Sequence, residues 1–225
     1  MEYMVVSSRI RLARNLAGIP FPSKCSPSLA EKVYSTAKKV SDKLFHNDFV
    51  KIGELSIVER KSLIESHLIS PMLESSKHGA LILNKERNIS IMIMEEDHIR
   101  AQCIESGLSL KKCDASLAAF DDELSRIANV AFDYKLGYLT ACPTNIGTGM
   151  RASIMLFLPA LTITRAIPEV KRKVEAQGLT IRGIYGEGSE AEGSMYQISN
   201  CISLGVNEET IIEAVEDNVK AVCEL

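Results

Sequence analysis

The sequence predicts an α+β fold, and three observations predict it. Apolar runs at 80–83 and 89–94 flank the polar stretch Asn84-Lys85-Glu86-Arg87-Asn88, the pattern of a β-hairpin. Segments 28–44, 114–132, 168–177 and 207–222 read as helices. Strand and helix signals follow one another without a regular βαβ repeat, which disfavours a doubly wound parallel sheet.

Taken in order, residues 3–6 (Tyr-Met-Val-Val) read as a short strand leading into Arg9 and Arg11. Residues 28–44 put Leu29, Val33, Val40 and Leu44 at helical spacing, with Ser28 and Glu31 spaced as a capping box. The second hairpin strand ends at Glu95 and Glu96. Residues 114–132 align Leu117, Phe120, Leu124, Ile127 and Ala131 on one helical face. Tyr138-Leu139-Thr140 reads as a strand running into a loop at Cys142. A helix over 168–177 is ended by Gly178, and 179–184 reads as the strand after it. A final strand at 199–204 precedes the helix at 207–222.

A chain of 225 residues fits one large domain, and 46% hydrophobic content supplies a sizeable core. The net charge of −3 gives no basic field for nucleic acid. The longest apolar stretch, 154–163, is interrupted by Pro159 and falls short of the ~20 residues that cross a bilayer. No charged-then-apolar leader opens the chain, so a cytoplasmic protein with no membrane association is expected. Six cysteines lack a CxxC pair and four histidines lack ligand spacing, which predicts reduced thiols and no protein-built metal site.

The chemistry concentrates in four segments: SSRIRLARN (7–15), EEDHIR (95–100), CPTNIGTGMRAS (142–153) and RGIYGEGSE (182–190). Together they hold Arg9, Arg11, Arg100, Arg151 and Arg182. Arginine's planar fork gives an oxyanion two parallel hydrogen bonds and keeps its charge. Acids beside such a cluster would repel phosphate unless they face a cation, so the pattern suggests a nucleotide on one side and a cationic acceptor on the other. Each piece also has a plainer reading. Asn145-Ile146-Gly147-Thr148-Gly149 completes neither a Walker A loop nor GxGxxG, and alone it reads as a turn. Glu95-Glu96-Asp97 with Arg100 also suits a surface salt-bridge cluster. Glu187 sits among glycines, where a closing loop residue fits. Cys142 also reads as a small buried thiol.

In combination and in order, these segments resemble the catalytic domain of the phosphagen (ATP:guanido) phosphotransferases. HLISP (67–71), LGYLTACPTN (136–145) and YGEGSEA (185–191) are closest to the bacterial protein-arginine kinase subgroup, the McsB type. The resemblance implies a largely antiparallel sheet flanked by helices, of the glutamine-synthetase-like kind. It implies ATP with Mg²⁺, bound by Arg9, Arg11, Arg100, Arg151 and Arg182, with His67 beside the nucleoside and no protein-built metal site. Glu96 and Glu187 correspond to the carboxylates that grip the acceptor guanidinium, and Cys142 to the reactive cysteine beside it, where a thiolate would favour the cation. Met94 stands where the family usually has asparagine.

The first arginine pair lies at Arg9, so the helical domain that precedes it in small-guanidine kinases is expected to be missing. The subgroup's helical extension past the final helix is likewise expected to be missing after Leu225. The implied activity is ATP-dependent phosphorylation of exposed arginines in proteins, with an activator protein and the Clp protease machinery as implied partners. The competing readings are a kinase for a free small guanidine and a non-catalytic regulator that kept the fold. All the motif's charged groups being present argues against the latter.

Overall fold

Side chains alternate along an extended strand, so one strand can feed two chemically different faces. The first strand, β1 (Val5–Arg14), does this: Ile10 and Leu12 are buried while Arg9 and Arg11 point the other way. The structure, a computed structural model, describes residues 4–183 and 192–225. After β1 come α1 (Pro27–Leu44), β2 (Asn47–Lys51), α2 (Ile57–Glu65), α3 (Pro71–Glu74), β3 (Ala80–Asn84), β4 (Ile89–Ile93), β5 (Ile99–Ser106) and α4 (Leu110–Ile127). A two-stranded ribbon, β6 (Phe132–Asp133) with β7 (Gly137–Tyr138), precedes β8 (Met150–Phe157). The chain ends with α5 (Pro159–Ile163), α6 (Ile167–Ala176), β9 (Leu179–Gly183), β10 (Met195–Asn200) and α7 (Glu208–Cys223).

Eight strands form one sheet in the order β2-β3-β4-β5-β1-β8-β10-β9, every neighbouring pair antiparallel. The expected α+β class is what the chain adopts. Helices α1, α4, α6 and α7 cover one face, where Ile10, Leu12, Ala101, Cys103, Ala152, Ile154 and Ile198 join the main core. On the opposite face a smaller core of Ile52, Leu63, Leu68, Ile69, Leu73, Leu81 and Met92 closes only the β2–β4 end. The rest of that second face carries the arginines.

Several boundaries differ from the sequence reading. The first strand is longer than 3–6 and contains both arginines, because its neighbours β5 and β8 pair along its whole length. Ser26, not Ser28, caps α1, its Oγ accepting from Leu29 N, while Glu31 pairs with Lys51 instead. Helix α4 begins at Leu110 and stops at Ile127, so Ala131 lies outside it. Only Gly137–Tyr138 of the segment before Cys142 is strand, and the last strand is Met195–Asn200 rather than 199–204. The hairpin at β3–β4 and the last helix, capped by Asn207, lie where the sequence put them.

Candidate active site

The register of the sheet assembles the arginines. Arg11 lies directly opposite Arg151 across the β1–β8 pair, Ala13 lies opposite Arg100 across β1–β5, and Arg182 lies opposite Gln197 across β9–β10. Period-2 alternation puts all five on the face that the helices leave open. Arg100 and Arg151 therefore stand on strands, β5 and β8, neither of which the sequence reading places.

Massing these cations costs free energy in the absence of an anion. Burial, then repulsion by Arg151 and Arg100, lowers the Arg9 pKa to about 10. Arg11 falls well below its ordinary value, first through burial and then through Arg9, Arg100 and Arg151. Arg151 is lowered chiefly by burial and next by Arg182. The Nε atoms of Arg11 and Arg151 are buried without a hydrogen-bond partner among the described residues. Buried charged donors left open in this way fit a polyanion such as a nucleotide triphosphate.

At the β4–β5 turn the three acids take different roles. Glu95 is buried and accepts from Ser70 Oγ, the N-cap of α3. Arg100 Nη1 lies 2.8 Å from both Glu95 oxygens and donates to Oε1, while Nη2 donates to Glu96 Oε2 at 3.2 Å. Asp97 is fully buried and accepts from Asn15 Nδ2 at 2.6 Å and Ala141 N at 2.7 Å. Glu96 is half-buried, and burial raises its pKa, partly offset by Arg100. The cluster is thus built into the site rather than solvated on the surface.

Cys142 reaches the same place from another loop. Its thiol is 3.0 Å from Thr144 Oγ1, and its carbonyl accepts from Thr140 Oγ1 at 2.8 Å. Glu96, Arg11, Arg100, Arg151 and Cys142 line one hollow of about 180 Å³. Gly147 explains the glycine-rich stretch: its φ is 114°, and a Cβ there would sit 2.0 Å from Ser203 O. The stretch is thus a close-packed support for the Cys142 loop, and its Asn145 and Gly149 line the same hollow as the arginines.

His67, at φ 56°, lines an adjoining hollow with Arg9, Ser7, Ser153, Met155 and Gln197. Burial and then Arg9 lower its pKa, which favours the neutral imidazole, a form suited to pack on a nucleoside. Glu187 lies outside the described residues.

Sequence reasoning missed the residues that hold this arrangement. Asn15 spans three segments: its amide donates to Asp97 and to Leu139 O (3.0 Å), and its Oδ1 accepts from His98 N (2.8 Å). His98 Nδ1 accepts from Leu16 N, so its proton sits on Nε2, 2.8 Å from Pro20 O. Gln102 Nε2 donates to His67 O at 2.7 Å and ties that loop to the sheet. Gln102 was findable as a polar residue alternating with Ala101 and Cys103. Asn15 ends the 7–15 segment, but its role carried no local signal, because its partners are more than 80 residues away.

Among known proteins, residues 28–225 match the family model described as "ATP:guanido phosphotransferase, C-terminal catalytic domain". A protein-arginine kinase of Desulforamulus reducens is 47% identical over 217 residues, covering 93% of this chain and 61% of that protein. One from Geobacillus sp. (strain WCH70) is 46% identical over 223 residues, covering 96% and 62%. The chain thus spans about three fifths of these relatives' length. Among solved structures, lombricine kinase superposes with a TM-score of 0.85 at 25% identity, covering all of this chain and 66% of that one. The duplicated taurocyamine kinase of Schistosoma mansoni, solved with bound transition-state-analogue components, gives 0.86 at 28%, covering 99% and 32%.

Proposed function

The chain belongs to the ATP:guanido phosphotransferase family, and from that premise we propose that it transfers the γ-phosphoryl group of ATP to arginine side chains in proteins. The observation that carries this reading is the hollow in which Glu96 and Cys142 face Arg11, Arg100 and Arg151. Relatives named protein-arginine kinase at 46–47% identity support the protein acceptor.

A guanidinium nitrogen is a poor nucleophile, because its lone pair is delocalised. Positioning and charge stabilisation therefore do most of the work. Arg9, Arg11, Arg100, Arg151 and Arg182 hold the phosphates and balance the charge spreading over the transferring group. Glu96, with Glu187 as its partner, grips the acceptor guanidinium and aligns one nitrogen with the γ-phosphorus. The new N–P bond forms as the bond from phosphorus to the bridging oxygen of ADP breaks. The proton shed by the nitrogen passes to the carboxylate. Cys142 acts electrostatically, favouring the cationic acceptor beside it.

Arg100 couples the two substrates in this scheme. Without them it bonds Glu95 and Glu96. Phosphate oxygens compete for Arg100, and the acceptor guanidinium competes for Glu96, so each substrate frees the group that the other needs. Among the described residues no three His, Cys, Asp or Glu side chains converge on a metal position. The Mg²⁺ of this chemistry would accordingly arrive on the nucleotide, held by phosphate oxygens and water.

No helix among the described residues is long and apolar enough to cross a membrane. A cytoplasmic setting is part of the reading, supported by ATP as donor and by six unpaired thiols. An activator protein and Clp-type protease machinery complete the proposed partners, on the strength of the subgroup likeness.

Incubation with ATP and an unstructured protein such as casein should place phosphate on arginine, far faster than on free arginine or creatine. A polypeptide supplies remote contacts that raise the rate of the chemical step. Mass spectrometry under conditions that preserve acid-labile P–N bonds reads the outcome. Turnover of a free guanidine with none on protein would overturn the protein acceptor, and phosphate on serine or tyrosine would overturn the reading altogether.

Arg151→Lys tests the clamp. Arg151 Nη2 is fixed by Ser199 Oγ at 3.0 Å, which aims the guanidinium along the sheet face. Lysine keeps the charge and loses the fork. ATP affinity should fall about tenfold, the scale of one charged hydrogen bond, with turnover falling as well. Calorimetry showing unchanged affinity together with normal turnover would remove Arg151 from the phosphate site.

A further inference from the structure

Glu96 belongs to two hollows. The first holds Cys142 and the arginines. The second, of about 530 Å³, is walled by Glu95, Glu96, Ser23, Met72, Lys77 and His78, and no arginine lines it. The two also meet along the chain, since Ala141 lines the second and Cys142 the first.

An arginine side chain carries its guanidinium well away from its own backbone. With the guanidinium against Glu96 in the first hollow, the backbone and neighbouring residues need room just beyond, and the second hollow supplies it. Its far rim is built, not loose. Ser76 Oγ donates to Met94 O, Tyr34 Oη donates to His78 O at 2.6 Å, and Ile52 N donates to Gly79 O at 2.9 Å. Lys77 is held exposed between these anchors and has no ion-pair partner among the described residues. The inner wall at Glu95 and Glu96 has its charge offset by Arg100, which bonds both carboxylates, so the exposed charge at this hollow is the cationic rim at Lys77.

We propose that this second hollow is the subsite for the polypeptide flanking the acceptor arginine, and that Lys77 selects acceptors with acidic neighbours over basic ones. The inference rests on the proposed protein-arginine kinase reading and adds the sequence context of the acceptor. A charge pair at an exposed site contributes a few-fold, and a like-charge contact costs a similar factor. Arginine peptides flanked by glutamate should then be preferred over lysine-flanked ones roughly five- to tenfold, and the preference should shrink at high salt.

The test uses fluorescein-labelled peptides of both kinds with the parent, Lys77→Glu and Lys85→Glu. Lys85 is exposed in the β3–β4 turn and does not line the hollow, so it controls for net charge. Anisotropy reads peptide affinity without needing phosphoryl transfer, and kcat/KM for arginine phosphorylation reads the full reaction. The proposal expects Lys77→Glu to invert the preference in both measurements, with Lys85→Glu like the parent. Equal affinity for both peptides in the parent, or a preference that Lys77→Glu leaves in place, would overturn the subsite while the arginine kinase stands. If no arginine is phosphorylated at all, the proposed function falls, and anisotropy still decides whether Lys77 reads a bound peptide.

Discussion

Glu96→Gln should lower phosphoryl transfer by ~10²–10⁴-fold, the range for loss of a positioned acid–base group, while ATP still binds. The two effects separate because of where the side chain stands. Glu96 shares its hollow with Cys142, and among the described residues it touches the arginine clamp only through Arg100 Nη2 at 3.2 Å. Glutamine keeps the shape and can still accept from Arg100, but it attracts a guanidinium weakly and cannot take its proton. A loss confined to ATP affinity would move Glu96 to the nucleotide side, and turnover near the parent's would remove it from the mechanism.

The same carboxylate sets an acid limb. Burial is the largest cause raising the Glu96 pKa, with Asp97 and Glu95 adding to it and Arg100 opposing. A raised pKa means that the carboxylate is protonated, and the acceptor grip lost, at a higher pH than for an ordinary glutamate. The acid limb of kcat/KM for the acceptor, which reports the free enzyme, should therefore lie above the ordinary carboxylate range and vanish in Glu96→Gln.

Much of this candidate site is legible in the sequence, for a physical reason. Side chains that meet one ligand must be of particular types, and they sit in short stretches whose spacing survives in the sequence. Arg9 and Arg11 are two apart because one strand presents both to one face. The fold was less legible where local signals were outvoted. Strand β8 reads as an apolar run, although Arg151, Ser153 and Met155 alternate against Met150, Ala152 and Ile154. Strand β5 carries no such run, since Arg100, Gln102 and Glu105 interrupt its apolar residues. Met94 adopts φ 58°, a left-handed conformation in which asparagine is easier than methionine. It is held there by His98 O accepting from its N–H and by a side chain buried in the main core. Long-range polar ties such as Asn15 to Asp97 were beyond reach, because only folding brings the partners together.

Asp121→Ala should cost about 3–5 kcal/mol, the scale for stranding one charge of a buried pair. Arg14, absent from the clamp, is only 2% exposed although it ends the strand that carries Arg9 and Arg11. Asp121 on α4 takes both prongs, Nε to Oδ1 and Nη2 to Oδ2, each at 2.7 Å. Arg14 Nη1 donates to Ala13 O and Thr148 O, and the guanidinium lies 3.4 Å from the centre of the Tyr138 ring. A single buried cation thus joins α4, β1 and the glycine-rich loop that leads from Cys142 into β8. At Gly149 a Cβ would meet both Ala13 O and Arg14 Nη1 at 2.7 Å, so the loop has no slack there. Alanine at 121 leaves that cation with two carbonyls and a ring face, none of them charged. For a chain of this size the loss corresponds to a fall in Tm on the order of 10 °C. Removing both charges, with Arg14→Met and Asp121→Leu together, should recover part of it, because no uncompensated ion remains. Full recovery is not expected, since Thr148 O loses its donor. Thermal and urea unfolding of the three variants decide the matter. A single-mutant cost under ~1 kcal/mol, as for an exposed ion pair, or a double variant weaker than Asp121→Ala, would show that the pair is not what anchors the Cys142 loop to the arginine strand.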